Sequence, residues 1–230
     1  MSKPDLLLLH GALGAKTQLA PLVAELEGQF EVLTLDFSGH GAAPLPHAVF
    51  ATEHFADDVL GYLDAKGLDA ANLWGYSMGG YVALYLARHF PARVRRVCTL
   101  ATKFTWTPEG AAREVRFLNP DVIEEKIPYF ARALAARHTA LGWRTVMAHT
   151  REMMLALGER PALQTADLAQ IEQPVRIGVG DIDTMVGLEE SIGVYRALPQ
   201  GELEVYPATP HPLEKVSFSR IAHAIGDFFT

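Results

Sequence analysis

Short apolar runs, each followed by a turn and then by apolar residues spaced three and four apart, recur along the chain. Leu6, Leu7, Leu8 and Leu9 open the pattern and predict a strand over residues 6–10. Leu19, Leu22, Val23 and Leu26 share one face of a helix over 19–26. Val32, Leu33 and Leu35 predict a second strand over 31–36, ended by Asp36. Phe55, Val59, Leu60 and Leu63 mark the buried side of a helix over 52–66. Thr52 is its expected N-cap, since a threonine hydroxyl accepts from a free backbone N–H. A third strand over 72–75, a helix over 78–90 stopped by Pro91 and a fourth strand over 94–100 follow. Strands over 174–180 and 202–206 and helices over 191–198 and 216–229 complete the series.

Strands that are apolar almost throughout belong in a parallel sheet covered on both faces. Right-handed crossovers then bring every strand's C-terminal end to one edge, where ligands bind in such sheets. Residues 104–168 break the pattern, with helical periodicity and no strand candidate. Ile123, Ile127 and Leu134 form one stripe, expected to kink at Pro128, and Trp143, Met147, Thr150, Met154 and Leu157 form another. The chain is therefore expected to consist of a core, 1–103 and 169–230, with 104–168 as a helical insertion after strand four.

Composition narrows the class. In 230 residues, 49% are apolar and 20% charged, enough for a sizeable core and against disorder. Lys plus Arg is 20 and Asp plus Glu 27, a net charge of -7 with no basic block, which argues against a nucleic-acid partner. The lone Cys98 makes no internal disulfide, and no Cys/His cluster has zinc spacing. The four-leucine run is too short for a bilayer span or a signal-peptide core. The expectation is a soluble, cytoplasmic protein, monomer or homodimer, that meets a small molecule and not a membrane.

The chemistry concentrates in Gly75-Tyr76-Ser77-Met78-Gly79-Gly80, between an apolar strand and an apolar helix. This is G-x-S-x-G in the strand–turn–helix context the motif requires. A serine on so tight a turn has an exposed hydroxyl, and small residues two positions either side let strand and helix close together. A nucleophilic serine also needs a base, an orienting acid and oxyanion donors. Among nine histidines, His211 is placed for the base, in a loop after the last strand and before the last helix. His10 and His40 lie in Gly-rich turns suited to structural hydrogen bonds, and His138 and His149 read as exposed or packed. Either Asp181 or Asp183, after strand five, could face the base. Asp183 lies further into the loop, whereas Asp181 suits a bond to its own turn. The Gly-rich loop after strand one offers the Ala12 N–H as an oxyanion donor beside that of Met78.

The order Ser77, Asp183, His211, the HGALG loop at 10–14 and the DFSGHG turn at 36–41 together resemble the α/β-hydrolase superfamily, over nearly the whole chain except the insertion. The resemblance implies Ser77 as nucleophile, Asp183 as acid, His211 as base and Ala12 and Met78 as oxyanion donors, with Asp36 and His40 structural. It implies a six-stranded, all-parallel sheet flanked by helices in the order 2-1-3-4-5-6, without the superfamily's two leading strands, and a small helical lid. No metal or organic cofactor is called for. The leading expectation is a serine esterase acting on a small carboxylic ester. The same loops are similar to those of C–C bond hydrolases and of a lyase of menaquinone synthesis, whose substrates carry carboxylates. A non-catalytic ligand-binding protein on this fold is the third expectation. Leu13, Tyr76, Lys103, Phe104, Trp106, Trp143 and Met147 are the candidates for substrate contact. One or two of the insertion's arginines are candidates for a carboxylate clamp.

Overall fold

The four consecutive leucines point alternately to opposite sides of a sheet. Leu6 and Leu8 enter one apolar core and Leu7 and Leu9 the other, and all four are fully buried. In the computed structural model, which describes residues 3–230, they belong to β1 (Asp5–Leu9). The other strands are β2 (Glu31–Thr34), β3 (Ala71–Tyr76), β4 (Val94–Leu100), β5 (Val175–Gly180) and β6 (Gly201–Tyr206). They form one sheet in the order β2-β1-β3-β4-β5-β6, with every neighbouring pair parallel, as expected.

Helices cover both faces. Helices α1 (Ala20–Leu26) and α10 (Phe218–Phe229) pack together over the face that carries Leu6, Leu8 and Trp74. Helices α2 (Thr52–Ala65) and α3 (Met78–His89) pack together over the other. Thr52 does not cap α2. Extended Ala51 occupies the cap position without a side-chain bond, and Thr52 is the first helical residue, buried in the core, where its hydroxyl cannot reach back to the helix start.

Between β4 and β5 lie α4 (Pro108–Glu114), α5 (Pro120–Lys126), α6 (Pro128–Arg137), α7 (Trp143–Glu159) and α8 (Thr165–Leu168), with no strand among them. The expected kink at Pro128 is a complete break. A residue before proline is steered away from helical geometry, and proline itself suits a first helical position. Ile127 accordingly takes φ -135° and ψ 56°, ending α5 and preceding α6. Ile123 and Leu134 are buried, but Ile127 is 36% exposed and drops out of the stripe. Helix α9 (Leu188–Ala197) follows β5 and packs on β5 and β6. No helix among the described residues is long and apolar enough to cross a membrane.

Backbone strain is confined to one edge. Among the described residues, Leu13 (φ 56°), Ser77 (φ 51°), Ala101 (φ 54°) and Ala208 (φ 52°) are the non-glycine residues with positive φ. They follow the C-terminal ends of β1, β3, β4 and β6. Each costs about 1–2 kcal/mol, a cost tolerated mainly where function requires the geometry.

Candidate active site

Ser77 sits at the turn between β3 and α3, half-buried, with φ 51° and ψ -115°. Its N–H donates to the Leu100 carbonyl at 2.8 Å, and the Thr102 hydroxyl donates to the Ser77 carbonyl at 3.0 Å. Both backbone groups of the serine are thus held by residues at the end of β4. The flanking glycines are required sterically. A Cβ on Gly75 would lie 2.4 Å from the Gly79 backbone, and one on Gly79 would lie 2.5 Å from the Leu9 carbonyl oxygen. Strand, turn and helix could not approach this closely with any larger residue.

His211 comes from the loop after β6 and Asp183 from the loop after β5. His211 Nε2 lies 3.4 Å from Ser77 Oγ, and Nδ1 lies 2.8 Å from Asp183 Oδ2. The aspartate side chain is fully buried. Its other oxygen, Oδ1, accepts from the Met185 and Val186 N–H groups at 2.8 and 2.9 Å, which leaves Oδ2 to face the imidazole. Asp181 does not bond its own turn. Its Oδ1 accepts from the Thr209 N–H at 3.2 Å, so it ties the β5 loop to the loop carrying His211. The reason is proximity: β5 and β6 are neighbours, and their loops emerge side by side.

The loop after β1 is a turn closed by the Gly14 N–H on the Gly11 carbonyl at 3.0 Å, with Ala12 and Leu13 at its centre. His10 at its root is fully buried. Its Nε2 accepts from the Phe37 N–H at 3.1 Å, so Nδ1 carries the proton and donates to the Gly11 carbonyl at 2.8 Å. Burial, opposed by the Gly11 bond and the Asp36 charge and reinforced by Arg137 and His138, pushes its pKa down to about 4. Burial also holds His40 well below the ordinary histidine range. Above pH 6.5 His10 is neutral in both folded and unfolded chains and adds no pH dependence to stability. Between 6.5 and about 4 the unfolded chain takes the proton first, so His10 alone should lower stability by on the order of 3 kcal/mol across that window. Urea midpoints measured down the pH scale should fall accordingly, and a His10 NMR resonance that titrates near 6.5 would contradict the assignment.

The remaining sequence candidates separate into several places. Tyr76 donates its hydroxyl to the His211 carbonyl at 2.7 Å, which ties β3 to the loop after β6. Met147 is fully buried in the apolar core cluster, which leaves it no exposed surface for a ligand. Trp143, half-buried at the start of α7, lies beneath the Arg144 guanidinium at 5.2 Å. Lys103 pairs with Glu190 at 3.8 Å, and Glu190 also accepts from the Phe104 and Thr105 N–H groups. Phe104 and Trp106 line an open cleft of about 600 Å³ with Tyr81, Leu163 and Val194, and none of Ser77, Asp183 and His211 contributes to its walls. Leu13 is 8% exposed, and its carbonyl is occupied by Arg137 and His138. His138 is buried and doubly hydrogen-bonded, beyond the simple packing expected of it. Nothing in the local pattern around 137–138 signals these contacts, which join segments 97 to 125 residues apart. The described residues hold no cluster of His, Cys, Asp and Glu that could bind a metal ion.

Comparison with known proteins agrees with this fold. A family model for the alpha/beta hydrolase fold matches residues 4–167. The 2-(acetamidomethylene)succinate hydrolase of Mesorhizobium japonicum is 24% identical over 245 aligned residues, covering 99% of this chain and 88% of that protein. The 3-oxoadipate enol-lactonase 1 of Acinetobacter baylyi is 27% identical over 201 residues, covering 82% and 75%. Among solved structures, a thermophilic esterase from Thermogutta terrifontis superposes with a TM-score of 0.78 at 24% identity, over 99% of this chain and 89% of the other. The 2-hydroxy-6-oxo-6-phenylhexa-2,4-dienoate hydrolase of Rhodococcus gives a TM-score of 0.80 at 21% identity, over 99% and 90%. At such identities the superpositions speak to fold alone. The matched residues make up well over half of the sequence, and this chain belongs to the α/β-hydrolase fold family.

Proposed function

We propose that this protein is a serine hydrolase that cleaves a small carboxylic ester through an acyl-enzyme. The observation that carries the reading is the continuous relay from Ser77 Oγ through His211 to a buried Asp183, at the edge where the strained residues gather. His211 Nε2 takes the Ser77 proton as the oxygen attacks the ester carbonyl. Asp183 holds Nδ1–H and stabilises the imidazolium that forms. The tetrahedral oxyanion sits between the N–H groups of Ala12 and Met78. Each such donor contributes about 3–4 kcal/mol to the transition state. The alcohol departs with the proton from His211. Water, deprotonated in turn by His211, then attacks the acyl-enzyme and releases the acid. Residues 104–168 serve as a cap over the 1–103 and 169–230 core and set substrate choice.

A carboxylated substrate, with C–C or lactone cleavage by the same triad, is the second reading. It is favoured by the dicarboxylates named for the relatives from Mesorhizobium and Acinetobacter. Against it, several arginines of the inserted helices are already engaged. Arg144 pairs with Asp121 and Glu124, Arg151 bonds the Val115 and Leu118 carbonyls, and Arg137 bonds the Leu13 carbonyl. A fluorophosphonate probe should label the protein, and Ser77→Ala should abolish labelling. A panel of neutral acyl esters and carboxylated diketones then separates the two readings. Faster turnover of the diketones would replace the ester assignment, and absence of labelling would remove the nucleophile.

A further inference from the structure

The C-terminal end of α6 grips the loop after β1. Arg137 Nη1 donates to the Leu13 carbonyl at 2.7 Å. His138 Nδ1 accepts from the Gly41 N–H at 3.1 Å, so its proton lies on Nε2, which donates to the same carbonyl at 2.9 Å. The next two residues continue the contact, with the Thr139 and Ala140 N–H groups on the Gly41 carbonyl at 3.1 and 3.4 Å. Arg137 also reaches the base side of the site. Its Nη2 lies 3.6 Å from Glu214, three residues after His211, and Glu214 accepts from Gln18 at 2.7 Å.

The gripped residue is an unlikely one for its position. Leu13 is the third residue of the turn closed by Gly11 and Gly14, and its φ is 56°. Turns with positive φ at that position favour glycine, and a leucine there stays only if its surroundings hold it. Two donors on its carbonyl provide that hold. Ala12, one residue earlier in the same turn, supplies the proposed oxyanion N–H, and its direction depends on the turn's geometry.

We propose that Arg137 and His138 are positioning residues for the oxyanion hole: by fixing the Leu13 carbonyl they keep the Ala12 N–H aimed at the reacting carbonyl. The inserted helices thus complete the catalytic geometry as well as covering it. This rests on the serine-hydrolase reading, with Ala12 as oxyanion donor. Small displacements of a catalytic group are costly, with about 1 Å worth as much as 100-fold in rate.

The test uses the purified full chain, a short-chain p-nitrophenyl ester and an alkylboronic acid. The boronic acid adds to Ser77 and places an oxygen in the oxyanion hole. Arg137→Met should lower kcat about 10-fold, leave KM within about twofold and weaken the boronic acid by a factor similar to the loss in kcat/KM. Arg137→Lys, which retains a donor, should recover most of the rate. Glu214→Gln, on an exposed side chain that does not touch Leu13, should give a smaller loss of the same kind and guards against a folding defect in Arg137→Met. Wild-type kcat and boronic-acid affinity in both Arg137→Met and Glu214→Gln would overturn the proposal, as would a rise in KM at unchanged kcat, which marks substrate binding. Wild-type protein without Ser77-dependent turnover would instead sink the underlying reading, so the two failures are distinguishable.

Discussion

Ser77→Ala should leave a folded protein whose kcat on its best ester is lower by a factor of about 10⁴–10⁶. Alanine keeps the Cβ and the backbone geometry that Leu100 and Thr102 hold in place, and removes only Oγ. The hydrogen-bond partner of that oxygen is His211 Nε2, so little folding stability depends on it. Catalysis depends on it entirely, because no acyl-enzyme forms without the hydroxyl. The surviving rate would reflect water attacking a carbonyl still polarised by the oxyanion donors, typically about 10³–10⁴ above the uncatalysed reaction. Steady-state kinetics beside a urea melt gives the answer. An unchanged kcat in a clean preparation would show that Ser77 is not the nucleophile.

Asp183→Asn should come next in severity, with kcat lower by about 10⁴. The argument is one of orientation. Oδ1 of Asp183 accepts from two backbone N–H groups, those of Met185 and Val186. In the asparagine variant the amide oxygen keeps that place, since it alone can accept. The amide NH₂ then faces His211 Nδ1, which must become an acceptor. The imidazole proton moves to Nε2, the atom that has to receive the proton from Ser77, and the base is blocked without any change in shape. Asp181→Asn makes the contrasting control. It keeps an oxygen for the Thr209 N–H and should cost about 10-fold or less. Comparison of the two kcat values decides the assignment, and a larger loss at Asp181 would exchange their roles.

The contrast between these two aspartates shows where sequence reading succeeds and where it ends. The strands and the Ser77 turn were legible because each depends on short-range pattern, the alternating burial of Leu6 to Leu9 or the glycines two residues either side of Ser77, whereas the strand order followed from the resemblance to the α/β-hydrolase superfamily. His211 and Asp183 were legible because an all-parallel sheet puts the loops after β5 and β6 on the same edge as the Ser77 turn. What pattern could not show is how a side chain is used once distant segments meet. Thr52 has the chemistry of a cap but lies in the core. Met147 has the apolar bulk of a pocket wall but is fully buried in the core cluster. Tyr76, next to Ser77, donates its hydroxyl to the carbonyl of His211 in the loop after β6. Arg137 and His138, at the end of α6, meet Leu13 across 124 and 125 residues of chain, a contact no local pattern encodes.

The four left-handed residues at the strand ends have a bearing on how this protein could change over generations. Glycine at Leu13, Ala101 or Ala208 would adopt the same backbone without steric conflict. A population pressed toward heat resistance would meet such a change most readily at the exposed Ala208, since glycine at Leu13 or Ala101 would also give up a buried side chain, and it would slacken the loop that carries His211. Hardening such an enzyme without dulling it calls for changes elsewhere, in the two apolar layers or on the outer helices, where no reacting atom depends on the shape of the main chain.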